Sequence, residues 1–207
     1  MVLARQASLF VPELPDGFSY RPEFLTDEDE ASLAERIAAL PFATFEMRGV
    51  VARRRVIFFG HSYTAGETAT PIPPFLLPVR ARIADWAEVA PEALAMALIN
   101  EYQPGSPIGW HRDAPQYGLV AGVSLLSPCR MTFRPYVAPR PQGGRAQRRT
   151  TTHEVVLDPR SAYLMTGPAR QEYEHHIPAV KALRYSITFR TLSSGKPGGR
   201  DSSDGHT

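Results

Sequence analysis

Cysteine is almost absent from this chain: Cys129 is the single one in 207 residues. No intrachain disulfide can form, and thiolate-held zinc or iron–sulfur centres are excluded. Any bound metal must be held by His, Asp or Glu. Lysine is nearly as scarce, with 2 residues against 21 arginines. Codon bias in a GC-rich genome accounts for that ratio, and so does a need for guanidinium forks, which suit carboxylate and phosphate better than an ammonium does. The net charge of +2 is small and gives no argument of its own for a nucleic-acid partner. No apolar run of roughly 18 residues occurs, so no membrane span is expected. The opening stretch MVLARQASLFVPELPDG lacks the long apolar segment of a signal peptide. With a lone cysteine, a reducing, cytoplasmic setting is the natural expectation.

What is present is ordinary for a globular protein: 43% hydrophobic and 21% charged residues. The length fits one domain with a sizeable core. Residues 1–20 read as an irregular N-terminal arm, 21–192 as a single domain, and the Gly/Ser-rich stretch 193–207 as a disordered tail. TDEDEASLAERIAAL predicts a helix over about 27–39, with Thr26 as N-cap, acids in the first turn and an apolar stripe through Leu33, Ile37 and Leu40. Residues 42–60 predict two strands around Gly49. Residues 71–90 predict a proline-started helix with Leu76, Val79, Ile83 and Trp86 on one face. From Ala97 onward, short β-branched or aromatic runs alternate with Gly and Pro. The expected fold is therefore mainly β with flanking helices, a sandwich or barrel of which a jelly roll is one type. The basic segment 138–150 reads as a hairpin loop.

Within NEYQPGSPIGWHRD, His111 and Asp113 stand two residues apart. In a strand, such residues project from the same face. Two histidines and a carboxylate on a β scaffold, with coordination positions left open, form the facial triad that holds non-haem Fe(II). The third ligand could come from His61, His153, His175 or His176. Asn100 and Tyr102 form another i, i+2 pair, able to offer an amide and a phenol. RYSITFR alternates strictly: Tyr185, Ile187 and Phe189 make an apolar face, and Arg184, Ser186, Thr188 and Arg190 a polar one. If the polar face lines an interior, its two arginines need anions, and a small dicarboxylate is one solution. The two Cα atoms are about 20 Å apart along the strand, so one small ligand is reached by both only if the side chains lean inward.

Taken in order, N-x-Y-x-x-G, H-x-D, H-x-I-P and R-x-x-x-T-F-R resemble the AlkB family of Fe(II)/2-oxoglutarate-dependent dioxygenases, over roughly residues 45–192. The resemblance implies a double-stranded β-helix (jelly-roll) core with an N-terminal helical and lid extension. It implies His111, Asp113 and His175, rather than His176, as iron ligands, with Asp113 also the catalytic carboxylate. It implies that Asn100, Tyr102, Arg184, Ser186 and Arg190 contact 2-oxoglutarate, Arg184 at the distal carboxylate and Arg190 at the metal-chelating end. Ser186 departs from the Asn that many members carry, and a serine reaches less far. Fe(II), 2-oxoglutarate and O₂ are the implied cofactors.

The implied activity is oxidative dealkylation of N-alkylated bases in DNA or RNA. Alternatives are the same chemistry on a tRNA nucleoside or a protein side chain, or a non-catalytic jelly-roll binding module. Such an enzyme meets its base unpaired or flipped out. Residues 48–67 are the matching nucleotide-recognition lid. There Arg53, Arg54 and Arg55 are candidate phosphate contacts and Tyr63 a candidate stacking residue, while Phe58 and Phe59 fit an ordinary strand core equally well. Trp110 is a further substrate candidate, although its place beside His111 turns it to the opposite face and favours core packing. The sequence leaves the oligomeric state open, with a monomer as the default.

Overall fold

The computed structural model describes residues 13–47, 50–61, 70–138 and 151–193. A short strand β1 (Phe18–Arg21) leads into helix α1 (Asp27–Ala38). The capping box at α1 is complete: Thr26 accepts from the Asp29 amide, and Asp29 accepts from the Thr26 amide. Strands β2 (Ala43–Met47) and β3 (Val50–Gly60) flank Gly49 as expected. The expected helix over 71–90 is shorter: a 3-10 turn at Pro74–Leu76, then α2 (Leu77–Trp86). The prolines up to Pro78 cannot donate into a preceding turn, and beyond Ala87 the chain leaves the helix with Glu88 at φ 54°.

Nearly all that follows is strand: β4 (Met96–Tyr102), β5 (Ile108–His111), β6 (Tyr117–Leu125), β7 (Cys129–Pro135), β8 (His153–Leu157), β9 (Ala162–Met165), β10 (Tyr173–Ile177) and β11 (Arg184–Leu192). A five-residue helix α3 (Gly167–Gln171) separates β9 from β10. The strands form two antiparallel sheets, a large one ordered β1-β9-β6-β11-β4-β3-β2 and a small one ordered β5-β10-β7-β8. This is the expected jelly-roll architecture.

Two corrections concern the N-terminal part. The arm expected to be irregular through residue 20 ends in β1, which pairs with β9 from Phe18↔Met165 to Arg21↔Ala162. Within the expected lid 48–67, residues 50–60 are a full strand inside the large sheet, paired with β4 from Arg55↔Glu101 to Gly60↔Met96. Alternating apolar side chains at Val56, Phe58 and Phe59 bury both faces of this stretch, so it belongs to the scaffold. Positions 48–49 and 62–69, Tyr63 among them, lie outside the described residues, as do most of the basic loop and the tail.

The core has two layers. Outside the large sheet, Leu33 and Ile37 of α1 and Val79 and Ile83 of α2 pack on Ile99, Val123, Tyr185, Ile187 and Phe189. Between the sheets, Phe133, Met131 and Ile177 of the small sheet meet Tyr102, Val120, Tyr163 and Met165 of the large one. Strand β11 stands at the centre of the large sheet, so its polar face is the ceiling of the inter-sheet space. Among the described residues, no helix is long and apolar enough to cross a membrane.

Candidate metal centre and anion cavity

The register of the small sheet sets His111 directly opposite His175. The two imidazole centroids are 4.3 Å apart. Asp113 completes the group: one ligand atom from each of His111, Asp113 and His175 lies within 4.8 Å of the others. One ion with bonds of about 2 Å draws such a set together through small side-chain rotations. His176, on the next position of β10, faces the other way.

Asp113 does not extend a strand shared with His111, contrary to the i, i+2 reading. Strand β5 ends at His111, and Asp113 lies in the irregular segment just before the turn at Pro115. Its carboxylate is aimed instead by Arg190. Nε and Nη2 of that arginine both donate to Oδ1, at 3.1 and 2.7 Å. Oδ2 is left facing His175 Nε2 at 3.9 Å. Burial opposes charge on Asp113, but Arg190, His175 and His111 together hold its carboxyl well below the usual carboxylate range. His111 Nδ1 is 2.9 Å from the Gly109 carbonyl. That carbonyl only accepts, so Nδ1 carries the proton and Nε2 keeps a lone pair. Burial, then the neighbouring His111, pushes His175 down to about 3, and burial lowers His111 too. Both rings are therefore neutral at ordinary pH and available as ligands.

The segment carrying Asp113 is tied down at two points. Arg170 of α3, 6% exposed, donates through Nη2 to the carbonyls of Ala114 and Tyr117 at 2.5 and 2.8 Å. Arg112 donates to the Gln171 carbonyl at 3.0 Å.

Along β11 the polar side chains are all buried: Arg184 at 1%, Ser186 at 7%, Thr188 at 6% and Arg190 at 6% exposure. A row of hydrogen-bonding groups crosses three strands at Ser124↔Ser186↔Asn100. Arg184 lies one step along, opposite Tyr102, with its guanidinium carbon 5.1 Å from that ring's centre. Its Nε donates to Ser124 Oγ at 3.1 Å. Its Nη1 is buried without a hydrogen-bond partner among the described residues. A buried guanidinium with an unused donor and only a neutral serine partner needs an anion. The residues present thus fit both a divalent ion and a small carboxylate, one at each end of a single strand face.

Sequence reasoning did not single out Ser124 or Arg170. Nor did it find Tyr163, which burial makes a persistent proton donor by raising its phenol far above the usual range, with Asp113 adding to the effect. The signal for Tyr163 is Gly122 opposite it: a Cβ there would stand 2.3 Å from the Tyr163 ring. Only glycine leaves room for that ring inside the cavity.

The three arginines of β3 separate. Arg55 turns to the helix side and forms a two-pronged pair with Glu101, at 2.7 and 2.9 Å. Glu101 is 4% exposed, so Arg55 is needed where it is and is not a phosphate contact at the cavity. Arg54 turns inward and donates to Asn100 Oδ1 at 3.1 Å. Arg53 is exposed. Trp110 faces away from His111, as expected, yet it is half-buried rather than core. Its ring neighbours His176, at 4.1 Å, and the Arg134 guanidinium, at 3.9 Å, on the outer face of the small sheet. These neighbours and its place on the outer face set the Trp110 ring apart from the triad, which lies on the inner face.

The model of the 2OG-Fe(II) oxygenase superfamily matches residues 17–190. A zebrafish (Danio rerio) protein described as "Probable RNA/DNA demethylase ALKBH6" is 24% identical, over 82% of this chain and 73% of its own length. An Arabidopsis thaliana "Alkylated DNA repair protein ALKBH8 homolog" is also 24% identical, over 80% of this chain, which spans about half (51%) of that relative. Among solved structures, OsALKBH1 superposes with a TM-score of 0.62 at 14% identity, over 86% of this chain and 100% of that one. A Pseudomonas putida prolyl-4-hydroxylase does so with a TM-score of 0.58 at 14% identity, over 86% and 94%. The fold is therefore the jelly roll shared with these oxygenases. With the matched family model covering both sheets and the triad, the chain belongs to the 2OG-Fe(II) oxygenase superfamily and is an AlkB-like, Fe(II)- and 2-oxoglutarate-dependent dioxygenase.

Proposed function

We propose that this dioxygenase oxidatively dealkylates N-alkylated bases in DNA or RNA, with His111, Asp113 and His175 as the iron ligands. The observation that carries the chemistry is the pairing, on one buried face, of the triad with an Arg184 that lacks an anion. The nucleic-acid substrate is supported by the order of the AlkB-like motifs and by the two relatives whose descriptions name RNA or DNA.

Fe(II) with 2-oxoglutarate and O₂ supplies the power to hydroxylate an unactivated C–H bond while the keto acid is converted to succinate and CO₂. The chain's own groups bind and orient. Arg184 receives the distal carboxylate of the cosubstrate in a charge-assisted contact, with Tyr102 beside it. Asn100 and Ser186 line the middle of the same face. Arg190 keeps Asp113 ionised and turned, so that Oδ2 faces the metal position. A hydroxylated N-methyl carbon then breaks from nitrogen as formaldehyde, leaving the unmodified base.

Incubation of the purified protein with N-methylated single-stranded DNA or RNA, Fe(II), 2-oxoglutarate and O₂ should release formaldehyde and succinate in equal amounts. Absence of formaldehyde with every methylated oligonucleotide would defeat the substrate assignment. Succinate release triggered instead by tRNA or a protein would redirect it.

A further inference from the structure

Arg54 looks at first like part of a substrate lid, but its side chain goes elsewhere. Along β3, Ile57 and Phe59 join the helix-side core, whereas Val56 and Phe58 meet Met96 and Leu98 on the cavity side. Arg54 shares its parity with Val56, and Arg55, one residue on, reaches Glu101 on the other side of the sheet. Arg54 therefore enters the cavity, where its Nε donates to Asn100 Oδ1 at 3.1 Å.

We infer that Arg54 is a positioning residue for the 2-oxoglutarate site, acting through Asn100 by deciding which way that amide faces. The inference rests on the cosubstrate reading above. A guanidinium has only donors, so the atom of Asn100 nearest it must be the amide oxygen. Nδ2 is then turned toward Ser186, whose Oγ is 3.4 Å away and directly opposite in the strand register. Ser186 accepts from that amide and directs its own proton elsewhere. The row Arg54–Asn100–Ser186 thus runs donor to acceptor in one sense only, and the groups it turns toward the interior are donors. An anion held by Arg184 needs donors around it. Without Arg54, the amide is free to turn over and present its oxygen to a carboxylate. The arrangement also accounts for a serine in the last motif: with Asn100 already oriented, a short hydroxyl opposite it suffices to continue the row.

The test is calorimetric titration of 2-oxoglutarate into Mn(II)-loaded protein, in which no turnover occurs, for wild type, Arg54→Met, Asn100→Ala and the double variant. Mn(II) affinity measured in parallel reports whether the triad and fold are intact, and Asn100→Ser replaces Asn100→Ala if the latter fails to fold. Each single variant should weaken 2-oxoglutarate binding about tenfold. The double variant should be no more than about threefold weaker than Asn100→Ala alone, because the two residues act as one unit. Mn(II) affinity should stay within about threefold of wild type, as expected when none of the metal ligands is altered. In turnover, KM for 2-oxoglutarate should rise while kcat at saturation is kept, and Arg54→Lys, which retains a donor, should recover part of the loss. Effects that multiply in the double variant, or an Arg54→Met that binds 2-oxoglutarate as wild type does, would overturn the role of Arg54 alone. A shift confined to KM for the nucleic-acid substrate would do the same. A wild-type protein that binds no 2-oxoglutarate would bring down the functional reading and this inference with it.

Discussion

Strand β11 carries two buried arginines six residues apart, and they are in opposite situations. Arg190 gives two hydrogen bonds to Asp113, a carboxylate of the chain itself. Arg184 has a serine hydroxyl, an aromatic neighbour and a buried Nη1 with no partner among the described residues. Both guanidiniums lost their water on folding, at a cost of several kcal/mol each before compensation. At Arg190 the compensation comes from within, and it also orients a metal ligand. At Arg184 it is left to be supplied from outside. The same residue type, on the same face of the same strand, serves at one end as structure and, in the function proposed above, at the other as a receptor. The difference is made by what the opposite strands and turns bring near.

That contrast can be broken. The largest effect should come from the triad: His175→Ala or Asp113→Ala should reduce 2-oxoglutarate turnover by at least about a thousandfold, measured as succinate formation, since the ion would keep only two protein ligands. Asp113→Ala should also destabilise the metal-free protein by about 3–5 kcal/mol in urea unfolding, because it removes the carboxylate that the buried Arg190 pairs with. Next, the two arginines should separate cleanly. Arg190→Met should cost about 3–5 kcal/mol by stranding Asp113, whereas Arg184→Met should leave the cosubstrate-free protein equally or more stable by about 1 kcal/mol, since it removes an uncompensated charge. The ranking should reverse for 2-oxoglutarate affinity, with Arg184→Met the worse binder by about tenfold or more. Equal stability losses would show that Arg184 is already satisfied.

A smaller effect follows from protonation. His175 titrates near 3 in the folded protein against about 6.5 unfolded, so below pH 6.5 the unfolded chain takes up a proton that the folded one refuses. Metal-free protein should therefore lose up to about 1.4 kcal/mol per pH unit from this group as pH falls from 6.5 toward 3. A His175→Gln variant should show a slope shallower by about one proton; identical slopes would show that His175 is not buried as described. The smallest effect should be at Trp110. Its replacement by Ala should leave Mn(II) and 2-oxoglutarate affinities within about twofold of wild type, because the ring lies on the far side of the small sheet from the triad.

Some features were legible because they are local. Thr26 with the acids after it marks the start of α1 by hydrogen bonds that span three residues. The alternation of RYSITFR specifies two faces wherever the strand goes, and burial of both faces followed. Others depend on distant partners. Four residues at Phe18–Arg21 form a strand because β9 leaves an edge beside them. Arg53, Arg54 and Arg55 look alike in the sequence, and only pairing with β4 sends the last to Glu101 and the middle one to Asn100. The H-x-D pair was correctly read as a unit, but for a reason that did not hold. The strand stops at His111, and Arg190, 77 residues beyond Asp113, aims the carboxylate.

By itself the sequence determined the chemical inventory: no thiolate ligands, an H-x-D pair with several histidines able to join it around a divalent ion, a β-rich chain, and one strand with an arginine at each end of its polar face. Those follow from residue identity and from periodicities that hold over a few bonds. The tertiary structure decided the assignment of roles. Which histidine meets His111, which arginine is neutralised by Asp113 and which is left without an anion all depend on strand register across two sheets. Register is set by how the whole core packs, because moving a strand by one residue would exchange its buried and exposed faces.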